Sequence, residues 1–145
     1  MKTSKKVFKE YNKNKEEMFV KMSNDGEYIY FTLYNDVKCE LHHQRGILVA
    51  KYLKKDEDYG NIPINDFPYI KICDIIVRNN NIGNGSILMN YFMEYCKTTN
   101  AKYIAAWLSP VDMDHFDRLE HFYKKYGFSV TFNGYRTSGS IKYIL

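Results

Sequence analysis

Hydrophobic and polar residues follow two rhythms along this chain, and the rhythm changes where the structure is expected to change. Over residues 85–98 the apolar positions Leu88, Tyr91, Phe92 and Tyr95 fall three and four apart, and over 113–126 Phe116, Leu119, Phe122, Tyr123 and Tyr126 do the same. Such spacing gathers one apolar stripe on an α-helix. Short runs rich in β-branched and aromatic residues, bounded by Gly, Pro, Asn and Asp, predict strands over 27–34, 47–53, 69–77, 101–108, 128–132 and 140–144. Residues 56–67, with Gly60, Pro63 and nearby Pro68, read as a loop. The lysine-rich segment 4–18 reads as a helix burying Val7, Phe8, Tyr11, Met18 and Phe19, and it yields to the turn-forming cluster Ser23-Asn24-Asp25-Gly26. Strands first, then strand, helix, strand, helix, strand, predicts α/β layering on a mixed sheet, with the helix at 83–97 laid against it by the right-handed crossover rule.

The change of rhythm is sharpest after residue 77. The apolar run Ile75-Ile76-Val77 meets a polar turn, Arg78-Asn79-Asn80-Asn81-Ile82-Gly83-Asn84-Gly85-Ser86, that opens into the first helix. A strand that passes through a glycine loop into a helix points several N–H groups, and the positive end of the helix dipole, at one spot. That spot suits an anion such as a pyrophosphate. It is not a nucleotide P-loop, because Gly85 is followed by Ser86 with no lysine. Nor is it a dinucleotide fingerprint, because Leu88 stands near the third glycine position and residues 101–109 offer no carboxylate.

Length and composition narrow the picture. A chain of 145 residues is expected to form a single domain, 1–145, with a core of its own. Cys39, Cys73 and Cys96 are odd in number and widely spaced, without a leader-like segment near Met1, which reads as reduced thiols in a cytoplasmic protein. No apolar run approaches the ~20 residues of a membrane helix, so no membrane partner is expected. The net charge of +4 comes from residues 1–21, which hold seven Lys against three Glu, while the rest carries 14 basic and 14 acidic side chains. A solvated helix face accounts for that excess, and without an aromatic-basic module a nucleic-acid partner is not expected. The four histidines lack the short fixed spacing and third ligand of a zinc site, so no metal is expected either.

With these residues in view, the chain resembles the GNAT superfamily of acyl-CoA-dependent N-acyltransferases. One family signature is a strand ending apolar-x-Val, a short basic loop, then Gln/Arg-x-x-Gly-x-Gly/Ala and a helix. It is similar to Ile75-Ile76-Val77, Arg78-Asn79, then Asn80-Asn81-Ile82-Gly83-Asn84-Gly85-Ser86. A second, a helix ending apolar-Tyr-x-Lys-x-Gly-Phe, is similar to Phe122-Tyr123-Lys124-Lys125-Tyr126-Gly127-Phe128. Both occur in family order within 69–128. The resemblance implies a mixed, mostly antiparallel central sheet with helices on both faces. The N-terminal part is short for the two helices that usually shape the acceptor site, which implies a shortened N-terminal helical region. Asn80 departs from the family's Gln or Arg and removes a cation from the loop, one that Arg78 can replace.

The resemblance also assigns roles. It implies transfer of an acetyl group from acetyl-CoA, as co-substrate, to a primary amine: a small cationic amine, a protein lysine or an N-terminus. The amine attacks directly in a ternary complex, and no nucleophile motif surrounds the cysteines. Ile75, Val77, Arg78, Asn80, Asn81, Ile82, Gly83, Asn84, Gly85, Ser86, Ser109 and Tyr123 are the implied cofactor contacts, with Ser109 where many members carry an Asn. The Val77 main chain would hold the pantetheine amide and polarise the acyl carbonyl. Tyr123 is implied as the acid that meets the leaving thiolate. Asp74, which interrupts an apolar strand, is the candidate base, since a buried carboxylate is costly unless paired or used. Asp112, Asp114 and Asp117, beside His115, suit a helix N-terminus. A non-catalytic acyl-CoA-binding or protein-interaction module is the alternative, and aromatic strands near the C-terminus leave a homodimer open.

Overall fold

The computed structural model describes residues 4–54, 66–78 and 83–145. Its strands are β1 (Ser4–Tyr11), β2 (Glu17–Asn24), β3 (Tyr28–Tyr34), β4 (Gln44–Leu53), β5 (Tyr69–Val77), β6 (Tyr103–Leu108), β7 (Ser129–Phe132) and β8 (Gly139–Ile144). The helices are α1 (Asn84–Lys97) and α2 (Phe116–Lys125), with 3-10 turns at Leu41–His43 and Pro110–His115. The strands form one sheet in the order β1-β2-β3-β4-β5-β6-β8-β7. Pairs β1–β2, β2–β3, β3–β4, β6–β8 and β7–β8 are antiparallel, and β5–β6 is parallel. The α/β class with a mixed, mostly antiparallel sheet is therefore as expected.

The chain divides into two compact units, Met1–Tyr52 with Cys73–Thr99, and Leu53–Ile72 with Asn100–Leu145, so that β5 runs from the second into the first. In the first unit, Met18 and Val20 of β2, Ile29, Phe31 and Leu33 of β3, and Leu48 and Ala50 of β4 are buried with Leu88, Met89, Phe92 and Cys96 of α1. Alternation sets this side of the strands, and the three-and-four spacing sets the matching stripe on α1. Phe31 is the hinge of the packing, edge-on to Phe92 at 6.0 Å and to Tyr95 at 5.9 Å between ring centroids. In the second unit Ile104, Leu108, Phe116, Tyr123, Phe128 and Ile141 are buried, and Tyr69 stacks on Tyr103 at 4.8 Å.

The N-terminal helix expected over 4–18 is a β-hairpin instead. Strands β1 and β2 pair from Ser4↔Asn24 to Tyr11↔Glu17, and β2 continues onto β3 with Val20 opposite Leu33. Its apolar residues divide differently as well: Met18, Phe19 and Val20 are buried, whereas Val7 and Tyr11 stand exposed on the sheet edge. Lysine and glutamate content suggested a helix, but the consecutive β-branched and aromatic residues find a ready partner in the edge of β3. Pairing outweighs a weak helical propensity. Asn12 and Asn14 were the overlooked signal, since both residues favour turns.

Smaller differences have local causes. The helix expected over 113–126 is a 3-10 turn followed by α2, because the Ser109 side chain caps the turn by accepting from Val111 N and Pro110 fixes its first position. The loop expected over 56–67 lies outside the described residues except for Asp66 and Phe67.

Candidate functional site: the β5–α1 junction and the α2 C-terminus

Strand β5 alternates until Ile72 and then becomes more exposed: Ile70 and Ile72 are buried, Cys73, Asp74 and Ile76 are exposed, and Ile75 and Val77 are half-buried. Asp74 is thus not the buried carboxylate that its apolar neighbours suggested. It shares the side of the pleat that buries Ile70 and Ile72, but at its position that side is exposed, where a carboxylate is solvated at no great cost. The ladder of β5 with β6 has two registered pairs, Ile70↔Ile104 and Lys71↔Ala105, both near the start of the strand. At the other end of β5 the Arg78 N–H donates to the Arg45 carbonyl at 2.9 Å. Arg78 itself is exposed. Gly46 allows the close approach here, since a Cβ added to it would lie 3.0 Å from Val77 Cγ1 and 3.2 Å from both Ile76 O and Leu88 Cδ1.

Helix α1 begins at an uncapped glycine. Gly83 is the N-cap residue with φ 89°, a left-handed conformation that only glycine adopts freely, and it has no side chain with which to cap the first turn. The first-turn N–H groups of an α-helix have no acceptor within the helix, so this end presents donors together with the positive dipole end. Asn84 follows, 2% exposed. Its Nδ2 donates to the Arg78 carbonyl at 3.3 Å, and its Oδ1 has no hydrogen-bond partner among the described residues. Gly85 and Ser86 are half-buried in the first turn. Asn80, Asn81 and Ile82 of the sequence reading lie outside the described residues.

The β1–β2 turn reaches this junction. A Cβ added to Gly83 would meet Lys13 Cγ at 3.2 Å, Lys13 N at 3.7 Å and Lys13 Cδ at 3.8 Å. Sequence reasoning missed Lys13 because it placed that residue on a helix, where it was one of several lysines.

The second signature lies in the other unit and has a complete backbone explanation. Gly127 has φ 90°, its N–H donates to Lys124 O at 3.0 Å, and Phe128 N–H donates to Tyr123 O at 3.2 Å. This pair of bonds is a Schellman C-cap. Its usual apolar contact is the edge-on packing of Tyr123 against Phe128, 5.5 Å between centroids. Tyr123 is 3% exposed and also packs against Phe122. Ser109 Oγ, the other expected contact in this unit, accepts from Val111 N at 3.4 Å, which leaves the hydroxyl hydrogen free to donate elsewhere. Asp117 and Glu120 pair with Arg136, and Glu120 with Lys124 at 2.9 Å, which holds the Glu120 carboxyl below the ordinary range, Lys124 contributing most. These acids serve the local structure of α2. His121 is exposed, and among the described residues no three His, Cys, Asp or Glu side chains are grouped to hold a metal ion. Among the same residues no helix is long and apolar enough to cross a membrane.

Comparison with known proteins agrees with this architecture. No protein-family model matches the chain. A 64-residue segment is 38% identical to the uncharacterized protein YocC of Bacillus subtilis, covering 44% of this chain and 39% of that one, so the match spans well under half of the relative. Among solved structures, the GNAT domain of S. lividans PAT superposes with a TM-score of 0.67 at 6% identity, covering 96% of this chain and 97% of its own. Arabidopsis thaliana NAA60, solved with acetyl-CoA, gives 0.60 at 14% identity over 84% of this chain and 78% of its own. Nourseothricin acetyltransferase gives 0.53 at 14% over 97% and 95%. The chain has the GNAT fold, that of this group of acetyltransferases.

Proposed function

We propose that this chain is an acetyl-CoA-dependent acetyltransferase acting on a primary amine. The observation that carries the reading is the β5–α1 junction: a strand that ends where a helix starts on an uncapped left-handed glycine, with a buried asparagine immediately inside it. Such a helix start favours a diphosphate, and the fold-level neighbours include a protein solved with acetyl-CoA. In this reading the first-turn amides from Gly83 to Ser86 and Arg78 hold the diphosphate. The Ile75–Val77 main chain holds the pantetheine arm, and Ser109 donates to the cofactor.

The chemistry then follows from what the transfer needs. The amine nitrogen, after losing a proton, attacks the thioester carbonyl, and the tetrahedral adduct collapses with departure of the thiolate. Asp74, exposed on β5, is placed to meet solvent and takes the amine proton through water. Main-chain donors at Val77 polarise the carbonyl oxygen. The Tyr123 phenol gives its proton to the sulfur. The test is release of free thiol from acetyl-CoA with a polyamine, a lysine peptide and a peptide with a free N-terminus. Amine-dependent thiol release supports the reading. Retained acetyl-CoA without thiol release from any amine identifies a binding module instead. Asp74→Asn is expected to lower turnover at least tenfold while acetyl-CoA still binds, and full turnover in that variant removes Asp74 from the mechanism.

A further inference from the structure

We propose that Lys13, in the β1–β2 turn, binds the diphosphate of the acyl-CoA donor at the N-terminus of α1, an inference that rests on the acetyl-CoA reading above. The turn is built to hold one conformation. Asn12 is 7% exposed although it sits at a hairpin tip, and its Oδ1 accepts from Asn14 N at 2.9 Å and Glu16 N at 3.0 Å. Its Nδ2 donates to Glu16 Oε1 at 3.0 Å, and its main chain bonds Glu16 O at 3.1 Å and Lys15 N at 2.9 Å. A surface turn whose amide is satisfied in this way has little freedom left.

The same hairpin is fastened to α1. Phe8 stacks on Tyr91 at 4.9 Å, and the Tyr91 hydroxyl donates to Glu10 at 3.3 Å. Further along, the Lys13 stem lies over Gly83, with Cγ and Cδ 3.2 and 3.8 Å from the position of an added Cβ. The ammonium is two bonds beyond Cδ. It therefore stands close to the positive end of a helix, and among the described residues it has no ion pair. A cation there is repelled by the dipole, and an anion between the two reverses the sign of the interaction.

Asn84 supplies the second, independent pointer. Its Oδ1 is buried and lacks a donor among the described residues, a costly state that an N–H or O–H of a ligand relieves. Acyl-CoA fits both demands, because its diphosphate is followed by a pantetheine arm with hydroxyl and amide donors. A simple phosphate supplies only the anion.

Calorimetric titration tests the assignment, with acetyl-CoA and with acetyl-pantetheine, which keeps the thioester arm and lacks the phosphates. Lys13→Gln is expected to weaken acetyl-CoA roughly tenfold or more and to flatten its salt dependence. Acetyl-pantetheine should bind Lys13→Gln as it binds the unaltered protein. Lys13→Arg should retain most of the affinity, and exposed Lys38→Gln should change nothing. Undiminished acetyl-CoA affinity in Lys13→Gln overturns the role of Lys13 and leaves the acetyltransferase reading standing. Equal losses for both ligands, or a lowered melting temperature, also overturn it, since Lys13 then acts on the fold. Failure of the unaltered protein to bind acetyl-CoA overturns both readings.

Discussion

Two glycines with nearly the same backbone angle sit at opposite ends of two helices, and they do different work. Gly83, φ 89°, begins α1 as an N-cap without a side chain of its own; Gly127, φ 90°, follows α2 and closes it. At Gly127 the orphan carbonyls are taken up by Gly127 and Phe128 N–H groups, so the motif around it is satisfied within the chain. At Gly83 the orphan groups are donors, the residue has no side chain to offer them, and the neighbouring Asn84 keeps an oxygen without a partner among the described residues. The backbone of the signature at the second place is explained by folding alone. At the first, the proposed reading has a ligand complete what the described residues leave open.

Substitutions can break this contrast. The largest effect is expected for Tyr123→Ala, which removes a buried ring from the α2 cap and should cost about 3–5 kcal/mol, seen as a much lower denaturant midpoint. Tyr123→Phe keeps the ring and should stay within about 1 kcal/mol of the parent while acetyl transfer falls; unchanged turnover would remove the phenol from the chemistry. Next comes Gly127→Ala. Its Cβ would lie 3.2 Å from Tyr143 Cε2 in a left-handed conformation. A loss of about 1–2 kcal/mol is expected, or a melting temperature lower by roughly 2–8 °C, with acetyl-CoA affinity unchanged in the folded fraction. Gly83→Ala carries a similar backbone cost, but here acetyl-CoA affinity should fall as well. If both glycine variants lose stability and neither loses affinity, the contrast between the two helix ends has no functional meaning.

The smallest expected effect concerns acid. The Asp25 carboxyl is held below its ordinary value by the N–H groups of Tyr28 first and Glu27 second, in the β2–β3 turn. A depressed pKa stabilises the folded state above the unfolded pKa, and that contribution is lost as pH falls through the folded one. Asp25→Asn should therefore lessen the decline of melting temperature at the acid end, and a profile identical to the parent would exclude the turn as a contributor. Away from these sites, burial pushes the Cys96 thiol well up, so a thiol reagent at neutral pH should label exposed Cys73 and spare Cys96.

Much of the fold was legible where short-range pattern and packing agree. Strand β5 and helix α1 fall within a residue of their expected bounds, because a solid apolar run, a glycine loop and a three-and-four stripe each admit one local structure. The hairpin at the N-terminus was not legible, since its lysines and glutamates suit a helix and its pairing partner, β3, lies beyond an intervening turn. Asp74 shows the same limit within a correctly placed strand. Composition marked it as an anomaly, but the pleat gives it the same side as buried Ile70 and Ile72, and only the packing of distant elements decides how far along the strand that side is covered.

The sequence by itself determined the α/β class, the glycine at each helix end and the signatures around them, because these depend on dihedral preference and on contacts within a few residues. Tertiary structure alone decided that β1 and β2 pair beside β3, that Asp74 is left exposed, and that Lys13 lies over Gly83. Those outcomes depend on groups far apart in the chain, and no local periodicity records which distant surfaces will meet.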